Sequence, residues 1–226
     1  MKKPIFAEEQ IYHIYNRGVE KRNIFLDDED YLRFIHNLFE FNDEDPVLNV
    51  RYYFNPKMIN VELEKERKVR KILVDILLFT LMPNHFHLLL RQKRGNGIVK
   101  FMQKLGTGYT MYFNKKYDRV GGLFQGRFKA VLVNKETHFI YLPSYIHTNP
   151  LSLIYGGSTS IEFLENYRWS SLPDYIGKKN FPSITRRDFL LSIFGNEEGY
   201  RKHIKSWLIE NKEWKNLGLI SDVVLE

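Results

Sequence analysis

The chain contains no cysteine. That excludes disulfides, thiolate metal sites and cysteine nucleophiles. It also fits a reducing cytoplasm, which is the expected location. No run of about 18 apolar residues occurs, so no membrane partner or span is expected. Met1-Lys2-Lys3-Pro4 leads into Glu8 and Glu9 without an apolar stretch, so the start does not read as a signal peptide. There is no internal repeat and no low-complexity tract. Acidic residues are in deficit, 27 against 34 Lys and Arg in 226 residues, for a net charge of +7. An anionic partner such as nucleic acid fits that balance, and so does a solvated basic surface. Apolar residues make up 43%, enough for one substantial core.

Gln10 to Asn16 is rich in β-branched and aromatic residues and reads as a strand ending at Arg17-Gly18. Asp27 or Asp28 can cap a helix in which Tyr31, Phe34, Ile35, Leu38 and Phe39 recur with helical spacing. The pattern breaks from Asn42 to about Lys71, where Pro46, Pro56 and the charge run 62–71 suggest an elaboration or connector. Two apolar runs, 72–81 and 85–92, flank the turn Met82-Pro83-Asn84. They read as a β-hairpin buried enough to be central. Gly95-Asn96-Gly97 opens a helix carrying Val99, Met102, Leu105, Tyr109 and Tyr112 or Phe113. Phe128 to Val133 is a further strand, followed by a helix from about Lys135 to Thr148, interrupted or restarted at Pro143.

The expected fold is α+β: a ferredoxin-like split βαββαβ antiparallel sheet with helices on one face. A helical C-terminal extension follows. The expected divisions are 1–160, with an insertion at about 43–71, and 161–226. Helical patterns at 187–194 and 198–208 fall in the extension.

His85 and His87 are separated by one residue on a strand, so both imidazoles share one face. Their Cβ atoms should lie roughly 6.5–7 Å apart, and converging rings could meet one ion. A pair of histidines on a solvated strand face has the same pattern. Tyr145 and Asn149 lie four residues apart, on one face of a helix that Asn149-Pro150 should close. By itself this pair also fits ordinary packing and a helix stop.

Together the motifs Pro83-Asn84-His85-Phe86-His87-Leu88-Leu89-Leu90 and Tyr145-Ile146-His147-Thr148-Asn149-Pro150 resemble the HUH single-tyrosine transposase family. The nearer likeness is to its REP-associated tyrosine transposase branch, similar to the TnpA enzymes of small insertion sequences. Tyr12-His13-Ile14-Tyr15-Asn16-Arg17-Gly18, Leu123-Phe124-Gln125-Gly126-Arg127-Phe128 and Arg168-Trp169-Ser170-Ser171 extend the resemblance over about residues 10–175.

The resemblance implies that His85 and His87 are metal ligands, Asn149 a third ligand and Tyr145 the nucleophile. Tyr141, one turn away, is the rival nucleophile. It implies a divalent cation, Mg²⁺ or Mn²⁺, and attack of Tyr145 on DNA to give a 5′-phosphotyrosine and a free 3′-OH, with rejoining by reversal. The partner would be single-stranded or hairpin DNA, and the chain is expected to act as a monomer. Arg17, Lys93, Arg94, Lys100, Lys104, Lys115, Lys116, Arg119 and Arg127 are candidate DNA contacts, with Tyr109, Tyr112 and Tyr117 as stacking surfaces. The competing readings are a replication initiator or relaxase with the same histidine pair, a non-enzymatic nucleic-acid binder, and a purely structural histidine pair.

Overall fold

A computed structural model describes residues 5–46, 69–154 and 160–210. Most of the suggested insertion, 47–68, and the last part of the C-terminal extension, 211–226, lie outside the described residues. The ordered elements run β1 (Ile11–Arg17), α1 (Asp28–Glu40), β2 (Val74–Met82), β3 (His85–Gln92), α2 (Gly97–Lys116), β4 (Lys129–Val133) and α3 (Glu136–Thr148). A 3-10 turn (Asn149–Leu153) and four helices follow: α4 (Ile161–Asn166), α5 (Leu172–Tyr175), α6 (Asp188–Ile193) and α7 (Glu197–Glu210).

The four strands form one antiparallel sheet in the order β2-β3-β1-β4. The tight Pro83-Asn84 turn pairs Met82 with His85 and fixes the hairpin register. A shift at Ile76/Leu78 then inserts one extra residue into β2. Such a bulge lets Leu77 and Leu78 both enter the same hydrophobic cluster.

Alternation along the strands builds two cores. Tyr12, Ile14, Phe86, Leu88 and Leu90 face α1 and α2. Ile11, Leu89 and Val133 face α3 and the C-terminal helices, together with Leu77 and Leu78. The expectation of helices on one face therefore covers only α1 and α2. The opposite face is also apolar, and burying it gains about 1.5–3 kcal/mol for each enclosed Leu or Ile.

Local signals explain the helix ends and faces. The Asp27 side chain accepts a hydrogen bond from the Asp30 backbone N–H at 3.0 Å and caps α1. On α2 the buried face runs through Ile98, Phe101, Leu105, Tyr109 and Phe113, and Val99 is exposed. Helix α3 continues through Pro143 rather than restarting there. Packing on both sides offsets the backbone hydrogen bond that proline cannot make.

The hairpin differs from expectation in one respect. β3 is central, but β2 is the outer strand, and all nine of its residues are nevertheless buried. The C-terminal segment covers its free edge. Leu81 N–H donates to Trp169 O, Ser171 N–H to Phe79 O and Arg186 N–H to Ile76 O, at 2.8–2.9 Å. No helix among the described residues is long and apolar enough to cross a membrane.

Candidate active site

The histidine pair lies at the start of β3, on the sheet face that α3 covers. The rings of His85 and His87 have centroids 5.0 Å apart and planes at 88°. Register places Arg17 opposite His85 and Tyr15 opposite His87 on β1. Thr80 of β2 pairs with His87 from the other side.

A short relay fixes the tautomer of His85. Asn84 Nδ2 donates to the Lys21 carbonyl at 3.2 Å, so its Oδ1 is the atom turned to His85 Nδ1, 2.6 Å away. An amide oxygen only accepts, so Nδ1 carries the proton and Nε2 keeps its lone pair. That lone pair faces Asn149 Oδ1 at 3.4 Å. Asn149 also acts on Tyr145, favouring its ionised phenol. Two acceptors are thus turned towards one another, an arrangement suited to a cation between or beside them.

His87 is 2% exposed, and its Nδ1 lies 2.9 Å from Nε2 of His13. Its Nε2 is the nitrogen left for the cleft. Among the described residues no three His, Asp or Glu side chains are grouped to hold a metal ion. The atoms that could hold one here are two imidazole nitrogens and one amide oxygen.

Burial, followed by the Arg17 charge, holds the His85 imidazole down at about 4, although the Asn149 oxygen, to which a charged ring would donate, opposes the shift. Burial and the neighbouring His85, His13 and Arg17 keep His87 well below the usual histidine range. Both rings are therefore neutral at pH 7, the state a ligand needs.

Tyr145 projects from α3 onto this cluster. It is 6% exposed, and its ring stands edge-on to His87 with centroids 5.9 Å apart. Burial raises its pKa; the Asn149 bond and Arg17 pull it back only partly. Tyr141 lies one turn away, parallel to Tyr145 at 6.4 Å, and packs edge-on against Trp207 at 4.8 Å. Of the two tyrosines, Tyr145 is the one whose ring stands against His87 and whose ionised form Asn149 favours.

Helix α7 holds α3 in place. His147 is fully buried, with Nδ1 2.7 Å from Tyr200 Oη and Nε2 2.8 Å from Ser171 Oγ. Ser144 Oγ contacts His203 Nε2 at 2.8 Å. His147 thus faces away from the Tyr145 site, as its two-residue offset requires.

The candidate DNA contacts divide into two groups. Arg17 lies beside the histidines, and exposed Arg127 follows Gly126, whose carbonyl accepts from Asn16 Nδ2 at 3.0 Å. Lys93, Arg94, Lys100 and Lys104 gather around the far end of β3, eight or more residues from His85. At 3.3 Å per residue Lys93 lies roughly 26 Å from His85 along the strand direction.

Many of these cations have partners within the chain. Lys93 pairs with Glu9 at 2.6 Å and Lys100 with Glu44 at 3.0 Å. Lys104 donates to the carbonyls of Asp43, Glu44 and Asp45. Lys116 meets Asp27, Glu29 and Asp30 at 2.8–3.0 Å. Arg119 donates to Asn114 at 3.0 Å, and Lys115 is exposed. Tyr109 is fully buried, and Tyr112 and Tyr117 donate to Asp30, so their hydroxyls serve the fold.

Sequence reasoning gave no role to His13, Tyr15 or Asn84. Strand alternation carries the signal for the first two: His13, Tyr15 and Arg17 share the face of β1 that pairs with the histidine face of β3.

Comparisons with known proteins agree with the motif resemblance. Residues 49–149 match the family model described as IS200-like transposase, a span that holds His85, His87, Tyr145 and Asn149. The span begins within the stretch 43–71. The fold is similar to the solved structure of a REP-associated tyrosine transposase bound to a REP hairpin. That likeness has a TM-score of 0.53 at 11% identity and covers 83% of this chain and 92% of the other. No curated protein sequence matches the chain.

Proposed function

We propose, from a stretch that matches the IS200-like transposase family model and a fold similar to that of a REP-associated tyrosine transposase, that this chain cleaves and rejoins DNA through Tyr145. The observation that carries the reading is the Asn149 amide. Its Oδ1 faces His85 Nε2 at 3.4 Å, and the same side chain favours the ionised form of Tyr145, whose ring stands over His87. The strand order β2-β3-β1-β4, with α1 joining β1 to β2 and α2 joining β3 to β4, supports a ferredoxin-like split βαββαβ reading.

In this reading His85, His87 and Asn149 hold a divalent cation, Mg²⁺ or Mn²⁺. When bound, it polarises the scissile phosphate. Imidazole ligands favour Mn²⁺ over Mg²⁺. Tyr145 Oη attacks phosphorus; the bond to the 3′-oxygen breaks, and the phenol proton ends on that oxygen as a 3′-OH. The product is a 5′-phosphotyrosine, and the retained ester lets a second 3′-OH reverse the step and join strands.

Ionising an ordinary tyrosine at pH 7 costs roughly 4 kcal/mol. Burial adds to that cost here, while the Asn149 N–H and Arg17 reduce it. Tyr145 therefore rests as the phenol, and deprotonation accompanies attack.

The substrate in this reading is single-stranded DNA or a hairpin with single-stranded flanks. In this reading Arg17, opposite His85, and exposed Arg127 contact the phosphates that flank the scissile bond.

The test is a labelled hairpin incubated with protein and Mn²⁺, followed by denaturing electrophoresis. A covalent adduct is expected from wild type and from Tyr141→Phe. It should be absent from Tyr145→Phe and from His85→Ala. An adduct that survives Tyr145→Phe refutes the nucleophile assignment. Joining of a second strand end separates a transposase from a simple nicking enzyme.

A further inference from the structure

One buried side chain in this cluster has no part in the proposed reaction. His13 on β1 is fully buried and touches His87 through a single nitrogen pair, Nε2 to Nδ1 at 2.9 Å. The ring planes are only 18° apart and the centroids are separated by 5.1 Å. At that nitrogen separation the rings meet edge to edge, in line for an N–H···N hydrogen bond. The other nitrogen of His13, Nδ1, is buried and has no hydrogen-bond partner among the described residues.

A neutral imidazole carries one ring proton in all, and nitrogens 2.9 Å apart hold one proton between them. It has two possible owners. If His87 Nδ1 holds it, His87 Nε2 is a free lone pair, and the ring proton of His13 sits on Nδ1 with nothing to accept it. If His13 Nε2 holds it, His87 Nε2 carries hydrogen and cannot bind a cation. The first arrangement strands a buried N–H donor, whereas the second strands only an acceptor. Stranded donors are the rarer of the two in folded proteins.

We propose that His13 is a positioning residue that sets which nitrogen of His87 is free, and that cation loading switches the pair from the second arrangement to the first. The inference rests on the metal-site reading of His85, His87 and Asn149. The two ligands then differ in kind. His85 is locked in its ligand form by the Lys21–Asn84 relay, while His87 is adjustable and pairs with a partner that can give or accept one proton. A metal-bound imidazole is ordinarily held through its second nitrogen by a carboxylate or carbonyl acceptor, and losing that partner typically costs 10–100-fold in affinity.

The experiment uses the full chain labelled with ¹⁵N at histidine. Long-range proton–nitrogen spectra report the tautomers without metal and with diamagnetic Zn²⁺ as the probe. The expected result is His87 protonated at Nε2 in the free protein and at Nδ1 in the loaded one, with His13 changing in step. A His87 tautomer that is the same in both states overturns the switch. Mn²⁺ titration followed by electron paramagnetic resonance gives the second readout. His13→Leu should bind about 10–100-fold more weakly, and His13→Gln, which keeps an acceptor, should recover most of the loss. Wild-type affinity in His13→Leu overturns the positioning role while leaving the site reading intact. No Mn²⁺ binding in wild type, with no Tyr145 adduct, overturns the site reading and this inference together. The wild-type spectra need no substitution, so a variant that fails to fold does not shield the idea.

Discussion

Acidification should loosen the helix that carries Tyr145, and His147 allows the size to be worked out. This imidazole is enclosed between Tyr200 and Ser171, and burial holds its pKa at about 3. In the unfolded chain the value returns to about 6.5. The stability that depends on a neutral His147 is complete above pH 6.5. It is lost as pH falls from 6.5 towards 3, because only the unfolded chain takes up the proton in that window. At about 1.4 kcal/mol per unit, the loss is about 2 kcal/mol at pH 5 and about 5 kcal/mol once pH is below 3.

The assay is urea denaturation at pH 7.5 and pH 5.0, for wild type and His147→Gln. Glutamine keeps a donor and an acceptor but does not titrate. The variant should be less stable at pH 7.5, and the gap should narrow by about 2 kcal/mol at pH 5.0. His13 and His85 lose stability in the same direction in both proteins, since burial holds their pKa values at about 3 and about 4. An unchanged gap would mean that His147 is not a buried neutral ring, and the account of how α7 holds α3 would fail.

Further outcomes follow from charge and packing. Arg127→Ala should weaken DNA binding and lower the slope of log affinity against log salt by about 1. Lys116→Ala should leave that slope unchanged, because three carboxylates already neutralise its ammonium; a melt should show a loss of at least about 1 kcal/mol instead. A changed slope in Lys116→Ala would contradict the pairing. Gly97→Ala should destabilise the fold by about 1–3 kcal/mol, since its methyl would sit 2.3 Å from the Leu73 carbonyl oxygen. A thermal melt equal to wild type would show that the backbone yields there.

Period-two and period-3.6 patterns announced most elements to within a residue or two. Phe128 to Val133 became Lys129–Val133, and the pattern at 198–208 became Glu197–Glu210. Those patterns record which side of an element is buried, but not what buries it. They therefore gave the hairpin, yet placed β2 at the centre when it lies at the rim. The candidate site was legible where its residues sit close in sequence, as with His85 and His87. The contact between His13 and His87 spans 74 positions and appears only once strand register is known. The lysines of α2 show the same limit. Sequence shows their charge but not the carboxylates of α1 and its flanks that fold back upon Lys100 and Lys116.

The cover on β2 has a consequence for where the chain can be cut. Sequence pattern changes near residue 160, which makes that point an inviting place to truncate. Yet the backbone of 169–186 satisfies the outer rim of β2, a strand with no exposed residue. Removing everything after 160 would bare an apolar strand with unpaired amides, the form of edge most prone to recruit other chains. The expected product is insoluble aggregate rather than a smaller active domain. The C-terminal segment is in that sense the selvedge of the sheet, and without it the weave is open.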